Sequence, residues 1–201
     1  MWVQEGFTDY SETLFTEFFH GKKAGSEYVQ GLKANIANDI PIIGPYGVNQ
    51  EGSGDMYYKG ANLIHTIRQV INNDKLFRSI LRGLGKDFYH QTVTTRQVEQ
   101  YISAKSKIDF SKVFDQYLRT TQIPKLEFRG GNPGFECRWT NCVPGFNMPV
   151  KTTTGKWIKP TTEWTSIKVD ITQSVVIDPN FYITAQPSGN FFKVRRGANE
   201  L

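Results

Sequence analysis

Residues 2–20 read WVQEGFTDYSETLFTEFFH. Val3, Phe7, Tyr10, Leu14 and Phe18 recur three or four positions apart, the spacing of a single helix face. Glu5, Asp9 and Glu12 fall together on another face of the same helix. Gly21 closes the segment, since glycine accepts the backbone angles at which helices end. The stretch is therefore expected to be a helix with one side to bury and one acidic side.

Helical punctuation continues from there. Ser26 can cap a second helix carrying Val29, Leu32 and Ile36, which must stop before Pro41 because the residue preceding proline avoids the α region. Residues 44–54, GPYGVNQEGSG, read as a loop bordering a cleft. Asp55 is expected to start a third helix running to about Asn72. Met56, Leu63, Ile67 and Val70 make one stripe on it and Tyr57, Ala61 and Ile64 a neighbouring one, so it should be buried on more than one side. Asp74 caps a fourth helix with Phe77, Ile80, Leu81 and Leu84. Thr94 and Gln97 form a capping box for a fifth, and Asp109 opens a sixth with Val113, Phe114 and Tyr117.

After Pro124 the period changes. Leu126 and Phe128, then Phe135, Cys137 and Trp139, alternate as in strands, with Gly130 to Gly134 as the turn between them. Residues 164–172, 175–177 and 181–185 are further candidate strands. The expected fold class is α+β: a helical part over 1–123 and a small antiparallel β-sandwich over 124–201. Cys137 and Cys142 are an odd number of positions apart and would point to opposite faces of a strand, so both read as packed thiols.

Composition excludes several function classes. With 38% hydrophobic and 13% aromatic residues the chain is too apolar to be disordered. It contains no apolar run near the roughly 18 residues of a membrane span, and its first residues do not read as a signal peptide. The net charge of +5 is spread thinly apart from the tail residues Lys193, Arg195 and Arg196, so a nucleic-acid partner is not expected.

Candidate chemistry is sparse. His20, His65 and His90 lie far apart, without ligand spacing. Glu5, flanked by Trp2, Val3 and Phe7, is either part of a solvated acidic face or a carboxylate held beside a cation. Gly60 lies early in a helix, where glycine costs about 0.5–1 kcal/mol against alanine, which suggests close approach of a backbone or ligand. Tyr57, one turn before Ala61, is either a core aromatic or a phenol facing a cleft.

Residues 2–10, WVQEGFTDY, resemble the W-[LV]-x-E-[GS]-F-[TA]-x-[YF] helix of the M1 family of zinc metallopeptidases, and Tyr57-Tyr58-Lys59-Gly60 resembles that family's Y-x-K-G motif, in the same order. The resemblance is densest over residues 1–120. It implies the helical second half of a thermolysin-like catalytic domain followed by an Ig-like β module. It further implies aminopeptidase chemistry, in which zinc-activated water hydrolyses N-terminal peptide bonds of peptide substrates. By the same resemblance, Glu5 corresponds to the third ligand of a zinc ion (Zn2+) and Tyr57 to the donor that stabilises the oxyanion. The family's H-E-x-x-H would fall before residue 1, so the sequence is expected to be the C-terminal piece of a longer peptidase. By itself it should be inactive, hold zinc weakly at best, and self-associate through the uncovered face of its first helix. The competing expectation is a non-catalytic module, or a degenerate peptidase relative, that binds peptide or carbohydrate through Trp157 and Trp164.

Overall fold

A computed structural model describes residues 1–48, 52–131, 134–167 and 175–187. Helices precede sheets along the chain, an α+β arrangement, and the chain divides into two compact units, Met1–Thr121 and Gln122–Leu201. Residues 49–51 of the expected loop, residues 168–172 of an expected strand and the basic tail lie outside the described residues.

The first unit contains α1 (Trp2–His20), α2 (Lys22–Gly31), α3 (Tyr58–Ile71), α4 (Asp74–Asp87), α5 (Thr95–Ser106) and α6 (Ser111–Arg119), with short 3-10 turns at Leu32–Asn35 and Gly54–Met56. The helix α3 is the centre of this unit, and every residue from Lys59 to Arg68 is buried. α1 lies across it, but not on the face the hydrophobic spacing suggested. Its buried positions are Trp2, Gly6, Tyr10 and Thr13, while Val3, Phe7 and Leu14 are only half-buried and Phe18 is 80% exposed. Close approach explains the shift. A Cβ on Gly6 would stand 3.1 Å from the Met56 carbonyl oxygen and 3.2 Å from Gly60 Cα, so glycine, the residue without a side chain, defines the contact face.

Local starts differ in the same way. α2 begins at Lys22 after Gly21 (φ 90), and Ser26 lies inside the helix rather than capping it. Gly25 permits this, because a Cβ there would come within 3.0 Å of the Thr13 carbonyl oxygen. Ser53, not Asp55, caps the turn before α3, its hydroxyl accepting from the Asp55 amide at 3.1 Å. Asn73 rather than Asp74 caps α4, accepting from the Leu76 amide at 3.0 Å. α6 begins at Ser111, and Asp109 accepts from the Ser111 amide at 2.8 Å. The Thr94–Gln97 capping box at the start of α5 is formed as expected.

A buried ionic cluster ties α1, α3 and α4 together. The Arg68 guanidinium, 2% exposed, donates to both oxygens of Glu17 at 2.6 and 3.0 Å and to Asp74 Oδ1 at 2.9 Å. It also donates to the Tyr10 hydroxyl at 3.3 Å, which is hydrogen-bonded to His65 Nδ1 at 3.1 Å. Hydrogen bonds from Arg68 hold the Asp74 carboxyl well below the usual carboxylate range, and burial pushes the Tyr10 phenol up to about 12.

The second unit contains β1 (Lys125–Gly131), β2 (Gly134–Thr140), β3 (Val150–Lys151), β4 (Trp157–Ile158), β5 (Thr165–Ile167) and β6 (Thr184–Pro187). One sheet has the order β5-β2-β1-β6 and a smaller one pairs β3 with β4. All of these pairings are antiparallel except β1 with β6, which is parallel. The long connection from β2 lets the chain return in the direction of β1, which a hairpin cannot do. Residues 175–177 make only a bridge, Thr152 to Ile177, in place of the expected strand. Leu126, Phe128, Cys137 and Trp139 alternate inward, and the Trp139 indole donates to the Met148 carbonyl at 3.1 Å and packs edge-on against Phe146. Both cysteines are free thiols, and burial pushes Cys137 up to about 12.

Candidate functional site

The sequence-derived site residues flank the crossing of α1 and α3. Glu5 directly precedes Gly6, and Tyr57 directly follows Met56, whose carbonyl faces Gly6. From the other side, a Cβ on Gly60 would stand 3.1 Å from Gly6 Cα. The glycines of the two motifs thus press backbone on backbone and bring the chain at Glu5 next to the chain at Tyr57. Trp2 anchors this end of α1 by donating from its indole to the Thr95 hydroxyl at 3.0 Å, at the start of α5.

Tyr57 stands at a break. With φ −78 and ψ −82 it separates the Gly54–Met56 turn from α3, and it is 40% exposed between buried Met56 and half-buried Tyr58. Its amide donates to the Gly54 carbonyl at 3.3 Å and its carbonyl accepts from the Ala61 amide at 2.8 Å, so the backbone is held on both sides. Beneath it Lys59 is fully buried, its Nζ donating to the Thr120 carbonyl at 2.9 Å. Burial draws the Lys59 pKa down, and the Asp55 and Asp39 carboxylates push it back up. The Asp55 carboxylate accepts from the Ala37 and Asn38 amides at 2.8 and 2.7 Å, and Asp39 accepts from the Ser53 hydroxyl at 2.7 Å. Neither Lys59 nor Arg68 was singled out in the sequence. The available signal was a cation inside a helix that carries two neighbouring apolar stripes.

The acidic face of α1 is not uniformly solvated. Asp9, one turn beyond Glu5, is half-buried, and its Oδ2 has no hydrogen-bond partner among the described residues. Burial, and then the neighbouring Glu12, push its carboxyl up to about 6. Glu12 accepts from the Tyr28 hydroxyl of α2. Among the described residues no group of three or more His, Cys, Asp or Glu side chains converges as a metal site requires. Glu5 offers one carboxylate, and a zinc ion takes three or four protein ligands, so this chain's residues alone do not fit the metal. His65 is committed to Tyr10 and Gln69, and His20 and His90 are exposed.

Trp157 and Trp164 are both half-buried. Trp157 packs edge-on against Phe181 with Lys151 Nζ 5.3 Å from its centroid. Trp164 lies against the guanidinium groups of Arg129 and Arg138 at 4.1 and 4.5 Å, and these pair in turn with Glu136 and Glu127. Their π surfaces are thus engaged by internal cations.

The chain shares its fold with a solved structure of Legionella pneumophila aminopeptidase A in complex with aspartic acid. The TM-score is 0.62 at 15% identity, and the match covers 94% of this chain and 24% of that one. The chain therefore spans about a quarter of the length of that structure. No family model and no curated protein matches the sequence. No helix among the described residues is long and apolar enough to cross a membrane.

Proposed function

We propose that this chain is part of a zinc-dependent aminopeptidase of the M1 type. In this reading residues 1–123 form the helical part of its catalytic domain and residues 124–201 an Ig-like β-sandwich module. Glu5 contributes one carboxylate to the zinc ion, the two remaining ligands coming from residues outside this sequence. No step is assigned to a metal held by these residues alone. Tyr57 is the residue of this chain that acts on the peptide substrate. Its phenol, neutral at working pH, donates a hydrogen bond to the oxygen of the scissile carbonyl as negative charge develops there.

The observation that carries the reading is the Gly6–Gly60 approach. The two motifs that resemble the family each contain one of these glycines, and the approach accounts for why a carboxylate helix and a phenol-bearing turn share one crossing. The shared fold with an aminopeptidase over nearly the whole chain supports it.

The test uses the intact longer polypeptide. Glu5→Ala is expected to lose bound zinc, read by metal analysis. Tyr57→Phe is expected to keep zinc and lose about 10²–10³ in turnover of an aminoacyl substrate. Full zinc content and full activity in Glu5→Ala would refute the assignment. The 201-residue chain alone is expected to show no chelator-sensitive peptide hydrolysis.

A further inference from the structure

A groove runs between α1 and α4 on the side of α1 away from Glu5. Its first stretch, about 380 Å³, is floored by Val3, Phe7 and Leu14 of α1 together with Leu81, Leu84 and Phe88, all half-buried. A second stretch of about 560 Å³ joins it at Leu14 and Leu81 and continues past Phe18 to Lys22, Arg78 and Arg82. The groove is apolar at one end and cationic at the other. The cations extend beyond it, since Lys75, Arg78, Arg82 and Lys86 repeat along the exposed face of α4. Arg82, Lys75 and Lys86 have no ion pair among the described residues, and Arg78, 59% exposed, makes one contact of 3.3 Å with Glu17. Two acids border the groove: Glu17 is held by Arg68 and Arg78, and Asp74 by Arg68 and, at 2.8 Å, by Lys22, so the cations outnumber the acids along this face.

We propose that this groove receives an amphipathic α-helix of a protein partner, apolar along one side and acidic at the end that lies against Lys22, Arg78 and Arg82. Charge complementarity selects the acidic end. The apolar floor selects a helix. α1 and α4 satisfy their own backbones, so the floor offers no groups to pair with an extended strand, whereas a helix brings its backbone already bonded. From Val3 to Phe18 the groove spans about 22 Å at about 1.5 Å per residue, the length of about 15 helical residues. A concave floor does not suit a flat lipid surface. A second copy docked by the same face would set one cationic row against another if parallel, and would bury the cations against the apolar floor if antiparallel. The proposal is independent of the peptidase reading.

The test uses the purified 201-residue chain and a fluorescein-labelled synthetic helix of about 15 residues, with a leucine stripe and glutamates at one end, alongside a control with lysines in place of the glutamates. Anisotropy titration is expected to show at least tenfold tighter binding of the glutamate peptide, narrowing as salt is raised. R78E/R82E should weaken it at least tenfold, and so should Leu81→Ser, with unchanged circular dichroism confirming that the surface variant is folded. Equal binding of both peptides, or an R78E/R82E variant that binds like the parent, overturns the proposal. So does co-sedimentation with phosphatidylserine–phosphatidylcholine vesicles without peptide binding, which would assign the face to a membrane. A dimer in light scattering that Leu81→Ser abolishes, again without peptide binding, would assign it to a second copy and also overturn the proposal.

Discussion

Replacing Gly60 with alanine sets two effects of opposite sign against each other. Alanine is the better helix former, and in the interior of α3 the exchange should contribute about 0.5–1 kcal/mol of stability. The new methyl would stand 3.1 Å from Gly6 Cα, where carbon atoms otherwise rest about 3.5–4.0 Å apart. The obstacle is backbone on another helix, so no rotamer change relieves it. α1 and α3 must separate by roughly 0.4–0.9 Å, the shortfall from that resting distance. Overpacking of this kind costs about 1–3 kcal/mol, so the steric effect wins, and a net loss of up to about 2.5 kcal/mol is expected. Gly85 supplies the control. It lies inside α4 with nothing within 4 Å of a new Cβ, so Gly85→Ala should stabilise by about 0.5–1 kcal/mol. Urea unfolding followed by far-ultraviolet circular dichroism reads both. A Gly60→Ala protein stabilised as much as Gly85→Ala would refute the close-approach account, and with it the physical link drawn between Glu5 and Tyr57. Gly6→Ala and Gly60→Ala each crowd the same contact, and the helix separation forced by one makes room for the other, so their combined effect should fall short of the sum.

Other expectations concern charge. Arg68→Met leaves Glu17 and Asp74 without their central partner and should cost about 3–5 kcal/mol in chemical unfolding; a loss below 1 kcal/mol, roughly the worth of a surface pair, would show the cluster to be dispensable. Asp9 has a folded-state pKa raised from 3.8 to about 6, so its carboxyl favours the folded protein when protonated, and that contribution is lost as pH rises from about 4 through 6. Asp9→Asn should therefore stabilise the protein at pH 7 and not at pH 3.5; an equal effect at both pH values would contradict the burial assigned to this group. Buried Cys137 should react with a thiol reagent at pH 8 only on unfolding, while half-buried Cys142 reacts in the native state; two fast native thiols would place Cys137 at the surface.

Local signals in the sequence carried the helix α1 from Trp2 to His20, the capping box of α5 and the alternation of β1 and β2, because spacing and caps depend on residues a few positions apart. The all-round burial of α3 was legible for the same reason. Ser26 was misread as a cap, Asp55 as the start of α3 and Asp74 again as a cap, because each has the chemistry of a helix beginning. Gly25 against α1, the amides of residues 37–38 and Arg68 respectively draw those segments into other roles. The parallel pairing of β6 with β1 joins segments far apart in the chain, and no turn signal announces it. Glu5 and Tyr57 were named from motif resemblance; that their chain segments meet follows from the Gly6–Gly60 contact.

By itself the sequence determined the six helical segments, the β1–β2 pair and that the chain is α+β, since those follow from local periodicity and backbone preference, whereas the two-residue strands β3 and β4 are too short to carry a period. Only the tertiary structure decided which face of α1 turns inward and why the apolar row Val3, Phe7, Leu14 and Phe18 is left as the wall of a groove. It likewise decided that Lys59 and Arg68 are buried. Burial is a property of what packs against a residue, and here the partners are set by backbones that approach closely at two glycines remote in sequence.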